Sequence, residues 1–242
     1  MKYLVDTHTH TLASGHAYST MREMAYSAEK KGLEALAITE HAPNMPGSCH
    51  EFYFLNMKVI PRKMCGIDLF LGAEANIIDL NGGLDLPKSI LEKLDIVIAS
   101  FHPPCCRIGT RNENTNAFLN AVKNPLVDII GHPDDARIPI ELEPVILAAK
   151  EHHKLIEINN SSLLENGARE GAYENQIEIL KLCKKHQVMI TLGSDAHIEN
   201  DVGNHSLSDR VLSETNFPEE LIVNRSVELL RSYLHRFRNT PF

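Results

Sequence analysis

Seven short aliphatic runs recur along this 242-residue chain, and each leads directly into residues of metal-ligand type. The runs cover residues 3–5, 35–38, 69–71, 96–99, 127–130, 155–158 and 189–192. They lack apolar–polar alternation, which suits strands buried on both faces of a parallel sheet. Helical patterns lie between them. Thr20-Met21-Arg22-Glu23 reads as a capping box opening a helix that runs to Lys31, with Gly32 as its stop. Residues 141–153 and 173–186 carry apolar side chains at helical spacing, with Ile177, Leu180 and Cys183 along one face. A shorter helix is expected over 116–122, and a last one from Ser226. Alternating strands and helices imply right-handed crossovers and a parallel sheet. About seven such units in one chain of this length predict a single α/β domain over 1–242, a closed or distorted barrel. The expected long loops are 43–47, 103–114 and 165–171, and Gly82-Gly83 marks a turn.

The residues after each run narrow the function. His8, His10 and His16 follow the first, Glu40-His41 the second and Glu74 the third. His102 and His132 follow the fourth and fifth, Asn159-Asn160 the sixth, and Asp195 and His197 the seventh. In a parallel barrel all strand C-termini meet on one rim, so these side chains would converge. Nine ligand-type side chains exceed what one catalytic zinc takes and predict a multi-metal site. Glu74 and Asp195, the only carboxylates in the set, are the candidate bridging or metal-positioning groups. Histidine-dominated ligation favours Zn, Mn or Fe over Mg or Ca. His152, His153, His186 and His235 sit on or just past predicted helices and read as surface residues, whereas His50 and His205 fall in loops.

The net charge of −8 and the lack of a Lys/Arg-rich block argue against a general nucleic-acid or anionic-membrane binder. Five cysteines without a C-x-x-C pair offer neither a zinc ribbon nor a thioredoxin motif. The apolar stretch at the N-terminus is too short for a signal peptide or a membrane span, so a reduced cytoplasmic setting is expected. No phosphate-loop, nucleophile-elbow or H-E-x-x-H pattern appears.

The ordered set His-x-His, Glu-His, Glu, His, Gly-His-Pro and Ser-Asp-Ala-His resembles the PHP (polymerase and histidinol phosphatase) superfamily. Residues 6–20, Glu74-Ala75-Asn76-Ile77, Glu157-Ile158-Asn159-Asn160-Ser161-Ser162 and Leu192-Gly193-Ser194-Asp195-Ala196-His197 are similar to its bacterial YcdX-type probable phosphatases. The resemblance implies a distorted seven-stranded β/α barrel holding three divalent metal ions, often zinc, at the C-terminal rim. By position, one ion would take His8, His10, Glu74 and Asp195. A second would take Glu74, His102 and His132, with Glu74 bridging, and a third His16, His41 and His197. The implied chemistry is hydrolysis of a phosphomonoester of a small metabolite by a metal-bridged hydroxide. Asn159, Asn160, Arg107 and Arg111 are candidate substrate contacts. A phosphodiesterase or nuclease on the same cluster, and a non-catalytic metal-binding scaffold, are the competing readings. A small phosphorylated substrate is the expected partner, and a homo-oligomer stays open.

Overall fold

The computed structural model describes residues 2–165 and 167–237. All seven predicted runs are strands. They form β1 (Val5–Asp6), β2 (Ala35–His41), β4 (Ile67–Asn76), β5 (Ile96–Ser100), β6 (Ile129–Ile130), β7 (Leu155–Asn159) and β8 (Ile190–Gly193). Each pairs in parallel with the next, in the order β1-β2-β4-β5-β6-β7-β8, giving a nearly closed seven-stranded barrel. One strand was not anticipated. β3 (Lys63–Met64) folds back antiparallel on the start of β4 through Cys65 and Gly66, whose φ values are 51° and 89°. A two-residue turn with both φ positive matches the twist of a hairpin.

Helices α1 (Met21–Lys30), α2 (Glu51–Asn56), α3 (Lys88–Leu91), α4 (Arg111–Lys123), α5 (Leu142–Glu151), α6 (Ala172–His186), α7 (Ser206–Glu214) and α8 (Val227–Tyr233) surround the sheet. Thr20 and Glu23 form the expected capping box on α1. A second capping box, Thr110 with Glu113, starts α4 at Arg111, so the expected 103–114 loop ends four residues earlier. Gly82-Gly83 forms the predicted turn, with Gly82 at φ 79°. Among the described residues no helix is long and apolar enough to cross a membrane.

Alternation along the strands separates two apolar layers. Leu36, Ile38, Leu71, Val97 and Ala99 face the surrounding helices. Ala35, Ala37, Phe70, Ile96, Ile98 and Leu155 face the barrel axis, where Val227, Leu230 and Leu234 plug the bottom. The inward series continues up each strand with a change of chemistry. It runs Ala35, Ala37, Thr39, His41 on β2, and Phe70, Gly72, Glu74, Asn76 on β4. β5 leads to His102 in the same way, and β7 to Glu157 and Asn159. Successive inward positions lie two residues apart, so polar residues late in each strand gather at the top of the barrel.

Candidate metal centre and its cleft

Glu74 stands at the middle of this polar end, fully buried. Its two oxygens face different neighbours. Oε1 lies 2.7 Å from His132 Nε2 and 3.2 Å from His102 Nε2. Oε2 lies 2.7 Å from His41 Nδ1, 3.4 Å from His8 Nε2 and 3.6 Å from His10 Nε2. Asp195 Oδ1 sits 3.3 Å from His10 Nε2 and 3.7 Å from His197 Nδ1. His16 Nε2 is 3.2 Å from His41 Nε2 at the exposed edge of the cluster. The structure therefore brings all nine sequence-selected side chains together.

Among the described residues, three sets of donor atoms lie within 4.8 Å of one another: His8–His10–Glu74, His41–Glu74–His102 and His10–His41–His197. The first agrees with the expected partition around Glu74, whereas in the second His41 stands where His132 was expected, His132 Nε2 lying 2.7 Å from Glu74 Oε1. In the third, His10 stands where His16 was expected, with His16 stacked beside His41 and His197.

Two features fit bound cations. His41 Nδ1 and Glu74 Oε2 are buried and 2.7 Å apart, yet neither makes an aligned hydrogen bond. A buried polar atom left so is costly unless a third group satisfies it. His8 Nε2 and His10 Nε2 also face one another at 3.0 Å, a gap that holds one proton or one cation between two lone pairs. Electrostatics agree. Burial pulls the His8 ring's pKa down, but Glu157, Glu74 and Asp195 outweigh it and hold it well above its ordinary value. Burial and neighbouring His41 push His10 well below its own, and burial lowers His102. Despite burial, His102, His8 and His41 keep Glu74 ionised, and His8, His10 and Arg169 do so for Asp195.

The rings are held by partners that the sequence did not single out. His8 Nδ1–H donates to Glu157 Oε1 at 2.6 Å, and Glu157 Oε2 accepts from the His132 backbone N–H at 2.8 Å. Asn76 Oδ1 accepts from His102 Nδ1–H, because its amide nitrogen already donates to Asp85 and the Ala42 carbonyl. Ser14 Oγ donates to Glu40 and so accepts from His10 Nδ1–H. His197 Nδ1–H donates to the Asp195 carbonyl. Each bond leaves the other ring nitrogen free as a ligand atom. His132 and Asp195 occupy positive φ, 26° and 56°, a strained backbone that turns both side chains into the cluster.

A cleft of about 390 Å³ opens above, with His16, His102 and His197 in its wall. Two guanidiniums line it, and neither is one of the candidates from the sequence. Arg169 contacts Asp195 Oδ2, Asn159 Oδ1 and Ser162 Oγ at 3.1–3.2 Å. Arg137 is gripped by Asp135. By contrast, Arg111 bonds the Ile140 carbonyl and Arg107 is exposed outside the cleft. Asn159 Nδ2 donates to Asp195 Oδ2, whereas Asn160 Oδ1 accepts from the amides of Leu207 and Ser208 at the start of α7. His50 caps α2, His205 is buried against Tyr3, and neither joins the cluster. His235 is also buried, on Asp128, rather than at the surface.

Glu157 and Asn76 carried a signal: each is a polar residue at an inward position late in a largely apolar strand. Arg169 and Arg137 lie in loops without periodicity, where sequence offers none.

Related proteins share this architecture. A histidinol phosphate phosphatase from Lactococcus lactis, solved with Zn, L-histidinol and phosphate, superposes with a TM-score of 0.63 at 21% identity, covering 89% of this chain and 95% of that one. A putative histidinol phosphatase from Listeria monocytogenes gives 0.60 at 18% identity, covering 85% and 99%. A probable phosphatase from Caldicellulosiruptor bescii is 51% identical over 230 residues, 95% of either chain. One from Clostridium novyi is 50% identical over 234 residues, covering 97% of this chain and 95% of the relative. The PHP domain profile matches residues 6–200, a span that holds all nine clustered side chains. The chain belongs to the PHP domain family.

Proposed function

We propose that this enzyme is a metal-dependent phosphomonoesterase that converts a small phosphate ester and water into an alcohol and inorganic phosphate. The observation that carries it is Glu74, whose two oxygens separate two groups of histidines beneath a cleft lined by Arg169. High identity to proteins named probable phosphatases supports the same chemistry.

The donor set fits three divalent ions of the Zn, Mn or Fe type. By the family pattern, His8, His10, Glu74 and Asp195 would hold one, Glu74, His102 and His132 a second, and His16, His41 and His197 a third; donor atoms of His41 also lie near those of Glu74 and His102, and those of His10 near His41 and His197. Bound there, such ions acidify coordinated water toward neutral pH and neutralise phosphoryl charge. The chain's own contribution is orientation. Glu157, Asn76 and Ser14 fix the ring protons of His8, His102 and His10 on Nδ1. Arg169 stays charged beside Asp195 and presents its guanidinium to phosphoryl oxygens, where stabilising developing charge lowers the barrier. Its planar fork suits a phosphate better than a lysine would.

The test combines elemental analysis with turnover of 4-nitrophenyl phosphate, its bis-ester and single-stranded DNA. The monoester is expected to be preferred. Glu74→Gln should lose metal from two positions and His41→Ala mainly from the third. Full metal occupancy in both variants would overturn the ligand assignment, and a strong preference for the diester or DNA would overturn the substrate class.

A further inference from the structure

The cleft carries a second guanidinium that the hydrolytic step does not use. Arg137 follows β6, Arg169 precedes α6, and the two loops are joined by a hydrogen bond from Ala136 N–H to the Glu170 carbonyl at 2.8 Å. Both side chains line the same cleft, yet they share no partner. Arg169 faces the metal centre through Asp195, with its side chain 15% exposed. Arg137 is 33% exposed and is locked from one side, Nε and Nη2 on the Asp135 carboxylate at 2.6–3.1 Å, with the Arg137 backbone N–H on Oδ1 of the same residue. Its Nη1 donates to no described residue. Arg169 acts on His102, Asp134 and Asp195, Arg137 acts on Asp135, and the two guanidiniums repel one another.

We infer that Arg137 is a specificity-determining residue that binds a second anion, a carboxylate or phosphate carried by the alcohol half of the ester. The substrate class is then a small phosphate ester with an anionic group remote from the phosphoryl being removed. An arginine pinned by a carboxylate cannot swing to follow the phosphoryl group, and it has little rotamer freedom left to lose on binding. The remaining donors therefore serve a fixed point in the outer cleft. Met45, Phe101 and Pro103 line the same cleft and offer apolar contact for a short carbon skeleton. The Asp135–Arg137 pair carries no net charge, so selection rests on the directed N–H donors left on Arg137 rather than on a local excess of positive charge.

This rests on the phosphomonoesterase assignment. Two matched pairs separate the anion types: 3-phosphoglycerate against glycerol 3-phosphate for a carboxylate, and fructose 1,6-bisphosphate against fructose 1-phosphate for a phosphate. Metal-loaded wild type should favour one anionic member by about tenfold in kcat/KM, mainly through KM. In Arg137→Ala that ratio should collapse toward one, and Arg137→Lys should restore part of it. Where the carboxylate pair is the preferred one, product binding gives a readout apart from turnover: glycerate, which has no phosphoryl group, should bind the metal-loaded protein detectably by calorimetry and lose that binding in Arg137→Ala. A wild type with no preference in either pair, a preference for phosphoethanolamine, or an undiminished ratio in Arg137→Ala would overturn the inference. Because 4-nitrophenyl phosphate carries no second anion, its hydrolysis alongside any of these results leaves the phosphatase assignment standing; no monoester turnover at all would overturn both.

Discussion

Glu157 shows how much of the candidate metal centre is built by residues outside the nine clustered side chains. Its carboxylate spans two strands, accepting the His8 ring N–H at one oxygen and the His132 backbone N–H at the other. Despite burial, His8 and His132 hold its pKa below the usual carboxylate value, so it stays ionised. Glu157→Gln keeps one acceptor but turns an amide N–H₂ toward either the His8 ring N–H or the His132 N–H. Metal affinity is expected to fall about 10–100-fold, the usual cost of disturbing a ligand's supporting hydrogen bond. Competition with a graded series of chelators measures it, and unchanged affinity would show that His8 is oriented by packing alone. The nine clustered residues were legible in the sequence because each comes after an apolar run and has ligand chemistry. Their supporting partners were less so. Ser14, Asn76 and Glu157 are ordinary polar residues until the neighbouring strand is in place. Arg169 reaches Asp195 from 26 residues away through a loop that no local pattern describes.

At the scale of elements, the barrel interior is narrow near its top, and glycines leave the room. A Cβ on Gly193 of β8 would lie 2.1 Å from Glu157 Oε1 and 2.7 Å from His8 Cβ. Gly193→Ala should therefore displace Glu157 and destabilise the protein by about 1–3 kcal/mol, the usual cost of overpacking. Urea denaturation gives the stability, and metal retention should fall alongside it. A stable variant with full metal would mean that β8 can shift outward. The strands themselves were easy to read because both faces are buried, which leaves unbroken aliphatic runs. α4 was harder. Its first turn, Arg111-Asn112-Glu113-Asn114, lacks apolar periodicity, and only the Thr110–Glu113 capping box marks it. Asn114 turns inward there and ties the Gly109 and Pro139 carbonyls together, so a residue that reads as loop is a buried strut. β3 escaped notice because two residues carry no period at all.

The whole molecule depends on how its first and last strands meet. β1 and β8 are the two ends of the hydrogen-bonded order, and a continuous ladder does not close them. At the rim the seam is bridged by backbone bonds, Asp195 N–H to the His8 carbonyl and His10 N–H to the Ala196 carbonyl, both 2.9 Å. Lower down one side chain takes the place of a strand. Asn224 donates from Nδ2 to the Val5 carbonyl at 2.9 Å and to the Leu192 carbonyl at 2.8 Å. Its Oδ1 accepts from Leu192 N–H at 2.8 Å and from the Thr191 hydroxyl at 3.2 Å, and its backbone carbonyl accepts from Leu4 N–H. Val5, Thr191, Leu192 and Asn224 are all buried, so water cannot replace the lost partners. Asn224→Ala strands at least the Leu192 amide and the Val5 carbonyl, each costing about 1–3 kcal/mol when left unsatisfied. The expected loss is on the order of 3 kcal/mol by chemical denaturation. Amide exchange should locate it, with Leu192 N–H exchanging faster relative to the β5 amides on the far side of the barrel. Since His8 and Asp195 flank this seam, metal affinity should drop as the seam loosens. If Asn224→Ala costs under about 1 kcal/mol and leaves Leu192 protected, the rim bonds and the α8 plug close the barrel without it.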